Sequence, residues 1–496
     1  MKLLLQTDPP TMTAWLHDVV RLYYPGWKIE VEDSGQAEGR MRIVRSQSKG
    51  KVEVALTVED RNGTIRERIM LEAGDEKNSE DVEKEVRRQI RLITYRLLAR
   101  HTGKEGNPYG ILTGVRPTKL VQRWLDEDLP TEQVETRLEN QYAIRRDKAK
   151  LLTEIALRER PYLMDNDAAS RYLSVYVGIP FCPSRCHYCS FLGATVTDYS
   201  RQVTPFMEAL GREVEVFGQV TKDLGFKVQS IYVGGGTPTV LACNDLEVLL
   251  EWLNRYFVSA ATREITVEAG RPDTLTAEKL RLLREAGVTR ISINPQTMND
   301  ATLRAIGRSH SVEEVVRAFE LARHEGLRQI NMDLIVGLPG EGMKEYTNTA
   351  DRILQLKPEN VTVHVLAVKR GSVLAETERG VGAREQIEQV ERGIEMFRNR
   401  LTGTGYEPYY LYRQRYMAAN MENLGYSLPG CYCLYNILMI EERQTILGLG
   451  AGTASKFVSP GSWNLTSLYS PKNPESYVES LPRLIRNKVD KLGALT

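Results

Sequence analysis

Between about residues 170 and 400 the chain alternates short β-rich runs with stretches of helical character, and this rhythm narrows the possible folds more than any other feature. The runs are SVYVGIPF, SIYVGGG, EITVEAG, RISINPQ, INMDLIVGLP and VTVHVLAV. Between them lie CNDLEVLLEWLNRYF, TAEKLRLLREAG, SVEEVVRAFELARHEG and MKEYTNTADRILQLK. A strand, a helix and a second strand close as a right-handed crossover, so the repeat predicts an α/β fold with a parallel sheet. Six such strands are too few for a complete eight-fold barrel. A partial (βα)6 barrel or a doubly wound open sheet remains. In both, ligands bind at the carboxyl ends of the strands.

The flanks read differently. Residues 29–72 hold KIEVED, RMRIVRS, KVEVALTVED and TIRERIMLE, separated by turn-rich DSGQAEG, SQSKG and RNG, which predicts a small antiparallel meander. A helix follows from about Ser79, with Val82, Val86, Ile90, Ile93 and Leu97 along one face. TGVRPTK is read as a helix start at Pro117, with an anion-binding turn as the alternative. After residue 400, LTGTGYEPYYLYR suggests a helix end running into a strand, and ILGLGAGTASKF a glycine-rich turn after an apolar run. The expected organisation is an α+β N-terminal domain over 1–165, the barrel over 166–400 and a smaller α+β domain over 401–496.

Composition excludes several function classes. The 66 basic and 65 acidic residues cancel, so no bulk field favours nucleic acid or an anionic membrane. There is no run of about 18 apolar residues to span a bilayer. MKLLLQTDPP is too short for a signal sequence, so a cytoplasmic location is expected. Six cysteines in 496 residues are not a disulfide framework.

Half of those cysteines lie in CPSRCHYC, as Cys182, Cys186 and Cys189, directly after the first strand of the repeat. Zinc sites usually take four ligands with paired C-x2-C spacing, and no matching second pair exists; Cys431 and Cys433 are one residue apart. Disulfides need pairs, and three leaves one over. Thiolates are favoured iron–sulfur ligands, and C-x3-C-x2-C could hold three irons of a [4Fe–4S] cube with the fourth left open.

Other candidates also fall at strand ends. GGGTPT (234–239) lets backbone approach a ligand, and its N–H groups can receive a carboxylate; a plain turn is the alternative. Glu268 is an acid in an apolar run and needs a partner, a ribose hydroxyl or a salt bridge. Gln296 ends the fourth strand, Arg308 follows twelve residues later, and Asp333 lies on the fifth. His364 on the sixth has no carboxylate partner visible in sequence and is read as structural.

The cysteine spacing resembles that of the radical S-adenosylmethionine (SAM) enzymes, which share a partial (βα)6 barrel. In that superfamily the open iron chelates SAM, and an electron from the cluster cleaves it to a 5′-deoxyadenosyl radical that abstracts a hydrogen atom. YVGIPFCPSRCHYCSF, YVGGGTPT, ISINPQTMNDATLRAIGR and NMDLIVGLPGE together resemble the oxygen-independent coproporphyrinogen III oxidase (dehydrogenase) family, in its longer branch with an extra N-terminal domain. The resemblance covers about 170–460, including SLPGCYCLYN and ILGLGAGTAS.

The resemblance implies a [4Fe–4S] cluster on the three cysteines and two SAM molecules. Tyr176 takes the catalytic position and, with Gly235 and Glu268, matches contacts of the cluster-bound SAM. Tyr188, Gly236, Thr237, Gln296, Arg308, Asp333 and Ala367 match the second. The implied reaction is oxidative decarboxylation of two propionates of coproporphyrinogen III, giving protoporphyrinogen IX. It needs an electron donor such as flavodoxin or ferredoxin and an unidentified acceptor. The four substrate carboxylates call for cations, for which Arg185 and Arg271 are candidates. Three departures stand out: Gly178 where the family has histidine, a CSF ending to the cysteine loop, and AGRPD after the third strand. Relatives with similar features include haem-binding chaperones, and radical SAM methyltransferases share the barrel; both are alternative readings.

Overall fold

The computed structural model describes the chain except for residues 34, 49–50, 73–78, 190–193, 368–371, 375–383, 415–420 and 496, and gives no side-chain description for 79, 197–198 and 384–386. It separates into two compact units, Met1–Glu154 and Ile155–Thr496.

In the first unit the sheet order is β2–β1–β3–β4–β5, from β1 (Lys2–Asp8), β2 (Lys28–Glu30), β3 (Gly39–Ser48), β4 (Lys51–Asp60) and β5 (Gly63–Glu72). The last three form the antiparallel meander expected over 29–72, but the KIEVED run read as its first strand is β2, which pairs in parallel with β1 instead. KLLLQTD, unread as a strand, is β1 and pairs in parallel with both β2 and β3. Alternation does the work in β4: Val52, Val54, Leu56 and Val58 are buried while the intervening residues are not. The helices Thr13–Tyr23 and Ser79–Thr102 supply Leu16, Val19, Ile90 and Leu97 to the same core. Each such burial contributes about 1.5–3 kcal/mol.

In the second unit six strands are those read from sequence: β6 (Tyr172–Ile179), β9 (Lys227–Gly235), β10 (Glu264–Glu268), β11 (Arg290–Ser292), β12 (Gln329–Val336) and β13 (Asn360–Val365). All pair in parallel, in sequence order. Between β6 and β9 a short parallel pair, β7 (Phe181–Cys182) and β8 (Ala194–Thr195), flanks the cysteine loop. The apolar run before the glycines at 445–453 is not a turn. It is a strand, β16 (Thr445–Gly450), which follows β14 (Glu407–Tyr412) and β15 (Asn423–Ser427) and adds a seventh parallel member beside β6. β17 (Ala454–Ser459) and β18 (Asn464–Tyr469) then extend that edge, while β14 and β15 extend the β13 edge, both antiparallel. Strands from the expected third domain therefore share one eleven-stranded sheet with the barrel strands. Among the described residues, no helix is long and apolar enough to cross a membrane.

Gly178 shows why the β6–β16 pairing needs small residues. A Cβ there would sit 2.5 Å from the Ala451 carbonyl oxygen, and one on Gly450, at φ +87°, would sit 2.4 Å from the Gly178 carbonyl oxygen. The departure from histidine thus makes room for the C-terminal strand.

Candidate active site

The carboxyl ends of β6, β9, β10, β11 and β16 meet at one cleft. It is lined by Tyr176, Ile179 and Pro180 from β6, all three cysteines and Tyr188 from the loop that follows, and Gly235, Gly236 and Thr237 after β9. Glu268, Gly270 and Arg271 come from the end of β10, and Asn294, Gln296 and Arg308 from beyond β11.

The cysteine loop is tied down along its length. The His187 amide donates to the Ile306 carbonyl at 3.0 Å, and the Cys189 amide to the Cys186 carbonyl at 3.1 Å. Cys182, Cys186 and Cys189 form no disulfide among the described residues and are half-buried. The Thr237 hydroxyl donates to Cys182 Sγ at 3.7 Å, and Arg271 Nη1 to Cys186 Sγ at 3.4 Å. Burial pushes the Cys182 thiol up to about 11, so its thiolate needs positive charge nearby.

The glycine segment differs from expectation. Its N–H groups are used within the protein: Gly235 donates to Glu268, and Gly236 and Thr237 donate to the Ile179 and Phe181 carbonyls, both at 2.7 Å. What it offers the cleft is bare backbone. A Cβ on Gly236 would lie 2.4 Å from the Phe181 carbonyl oxygen, so the close approach of β9 to the cysteine loop requires glycine.

Among the described residues no cation is paired with Glu268. Burial raises its carboxyl to about 7 against the lowering effect of the Tyr232 hydroxyl, which donates at 2.8 Å. Tyr176, Tyr232 and Tyr435 stack on one another, with ring centroids 4.6–5.9 Å apart, and Tyr232 joins this stack to Glu268.

On the opposite wall Gln296 holds φ +71°, a left-handed conformation unusual for a side chain of this size. Its amide donates to the Asp333 carbonyl and its carbonyl accepts from Ile335, both at 2.9 Å, so β12 holds it there. Arg308 donates through Nη1 to the Asn294 carbonyl at 2.5 Å and through Nη2 to the Tyr188 hydroxyl at 3.2 Å. Burial opposes its charge, but Tyr188 and Cys186 outweigh that and raise its pKa.

Asp333 and Ala367 do not line the cleft. Asp333 lies behind Gln296, and His364 Nε2 stands 3.7 Å from its carboxylate. Burial would raise the Asp333 carboxyl, yet hydrogen bonding with His364 carries it below the usual range. The sequence reading of His364 as lacking a carboxylate is therefore corrected: the β12–β13 register sets Ile335 opposite His364 and so brings the two together. Arg185 is exposed, and the CSF ending at 190–191 lies outside the described residues. Sequence reasoning missed Asn294, Ala451, Gly452 and Lys472, which also line the cleft. The last three arrive with β16 and the loop after β18, for which no local signal exists.

The donor set suits the expected cofactors. Among the described residues no three His, Cys, Asp or Glu side chains converge on one ion. A single zinc needs donors converging at about 2.0–2.3 Å, whereas a [4Fe–4S] cube takes one thiolate per iron and tolerates their spread. For SAM, the cleft offers bare glycine backbone, the Glu268 carboxyl and the buried Arg308 Nε, which has no hydrogen-bond partner among the described residues.

Comparison with known proteins agrees with this geometry. Residues 176–353 match the Radical SAM superfamily. Over 481 residues, 96% of this chain and 95% of the relative, the sequence is 38% identical to the oxygen-independent coproporphyrinogen-III oxidase-like protein HemZ of Bacillus subtilis. It is also 39% identical over 201 residues to the heme chaperone HemW of Bacillus subtilis, spanning 40% of this chain and 52% of that protein. The solved structure of coproporphyrinogen III oxidase (HemN) from Escherichia coli, a radical SAM enzyme, is similar at a TM-score of 0.51 and 21% identity, over 64% of this chain and 72% of that one. That likeness concerns the fold, the partial (βα)6 barrel. Membership of the superfamily implies a [4Fe–4S] cluster and SAM. The chain belongs to the radical SAM superfamily and, within it, to the oxygen-independent coproporphyrinogen III oxidase family.

Proposed function

We propose that this chain decarboxylates coproporphyrinogen III oxidatively to protoporphyrinogen IX, without oxygen, using two SAM molecules and a low-potential donor such as flavodoxin or ferredoxin. The observation that carries the reading is the meeting of Cys182, Cys186 and Cys189 with Glu268, Gln296 and Arg308 around one cleft. Similarity along 96% of the chain to a protein named coproporphyrinogen-III oxidase-like supports the substrate.

Cys182, Cys186 and Cys189 would hold the cluster, which with SAM supplies hydrogen-atom abstraction. Tyr176 closes the floor of the cleft with Tyr232 and Tyr435 and excludes water from it. The Glu268 carboxyl, near 7, accepts from Tyr232 and keeps an oxygen for a ribose hydroxyl. Gln296, Arg308 and Tyr188 form the wall suited to the second SAM, with Asp333 acting through Gln296. Lys472, from the C-terminal segment, also lines the cleft. Arg271 does not suit a propionate carboxylate, because its guanidinium is committed to the cysteine loop.

The test is an anaerobic assay of the cluster-reconstituted chain with reductant, SAM and coproporphyrinogen III. Loss of two carbon dioxide units coupled to 5′-deoxyadenosine is the expected outcome. Deoxyadenosine without a change in porphyrinogen mass would discard the substrate. A second reading, haem delivery without turnover, draws on the partial similarity to the heme chaperone. It predicts a Soret band on adding haem and no deoxyadenosine.

A further inference from the structure

Arg271 follows Gly270 at the end of β10, in the AGRPD stretch, and its side chain is only 4% exposed. Two of its partners, Ser184 and Cys186, lie in the cysteine loop. Nη2 donates to the Ser184 hydroxyl at 2.7 Å and to Ser309 at 3.4 Å, and Nη1 donates to Cys186 Sγ at 3.4 Å. On the far side Nε meets the Asp273 carboxylate at 3.3 Å, and His310 Nδ1 stands 3.8 Å from the same oxygen. Proline fixes the next residue at the start of a short 3-10 turn, Pro272–Thr274, so the backbone leaves the guanidinium little freedom to turn away. A buried cation aimed at a thiol and steadied from behind is poorly placed for a substrate carboxylate.

We propose that Arg271 raises the reduction potential of the cluster held by this loop. The inference rests on the loop being a [4Fe–4S] site. One-electron reduction by an external low-potential donor adds one negative charge to the cluster. An N–H donor and a positive charge at a cluster sulfur stabilise the reduced state more than the oxidised one. Asp273 offsets part of that charge, so the pair sets the potential between two limits. Arg271 is thus a positioning and tuning residue for the cluster, not a group that touches substrate.

The experiment is a redox titration of the reconstituted full chain, read by electron paramagnetic resonance of the reduced cluster, with iron and sulfide quantified in each sample. Arg271→Gln should lower the reduced-to-oxidised ratio about tenfold at fixed poise, which is about 59 mV for one electron. Arg271→Lys should fall less, and Asp273→Asn should shift the opposite way. An unchanged midpoint in Arg271→Gln at full iron content overturns the proposal. So does a fall in Asp273→Asn as large as that in Arg271→Gln, which marks loop disruption. If neither Arg271 variant holds iron while the wild type does, Arg271 is scaffolding and the tuning role is rejected. A wild type that takes up no cluster would instead sink the reading of the loop itself.

Discussion

At its N-terminal end β10 presents Glu264 to Arg290 and Cys433; at its C-terminal end, four residues on, it presents Glu268 to the cleft that Arg271 and Cys186 also line. The side-chain types are the same and their uses are opposite. Glu264 accepts from the Leu434 and Tyr435 amides at 2.9 and 3.0 Å and from Cys433 Sγ at 3.3 Å, while Arg290 Nε stands 3.7 Å away. Arg290 is 2% exposed and also holds Gln329 and the Cys431 carbonyl. Acid and cation are paired there, although Arg290 Nε makes no hydrogen bond among the described residues, and burial, with Glu264 adding to it, drives the Cys433 thiol far up. At the other end no cation among the described residues pairs with Glu268, and Cys186 faces a guanidinium. A buried acid paired with its counter-charge rigidifies a fold, whereas one without a counter-charge is ready for a ligand.

The largest effect should separate the two sulfurs. Cys186→Ala should abolish the visible absorption of the reconstituted cluster and bring deoxyadenosine to background. Cys433→Ala should keep both and cost about 1 kcal/mol in urea unfolding. Loss of the cluster in the Cys433 variant would break the contrast. Next, Arg290→Met should destabilise the chain by roughly 3–5 kcal/mol, because Glu264 is left buried without its cation. A cost below that of Arg271→Gln in the same measurement would reverse the assignment of which end is structural.

Glu268 gives a prediction of sign. Its folded pKa of about 7 lies above the ordinary value of 4.5, so between those limits the folded state binds more protons than the unfolded one. Its contribution is therefore most favourable below about pH 4.5, is lost as pH rises to about 7, and is flat above. The total is roughly 3 kcal/mol at most. Glu268→Gln should flatten this slope in urea midpoints measured across the window, sharpening the contrast with Glu264.

Much of the second unit was legible because strand patterning and sequence order coincide. β6, β9, β10, β11, β12 and β13 each carry a local apolar run; right-handed crossovers left a sequential barrel order and a doubly wound order open, and the structure has the sequential one. Site residues were legible for the same reason: Cys182, Gly235, Glu268 and Gln296 all end a run. β16 was not, since TILGLG has too many glycines to read as a strand until Gly178 is seen to need a neighbour without a side chain. The Asp333–His364 pair was hidden because it depends on register between strands, which residues 31 apart do not announce.

The amino-acid order alone determined the repeated βα unit, the placement of three thiols after its first strand and the acids and amides at the ends of the others. Local hydrophobic period and turn chemistry suffice for those, because they act over a few residues. Only the tertiary structure decided which polar groups meet: Arg271 with Cys186, Lys472 with the rim, Gly178 with Gly450 and Glu264 with Arg290. Hydrogen bonds and ion pairs form over about 3–4 Å between segments up to hundreds of residues apart, and the chain must close its sheet before such distances exist.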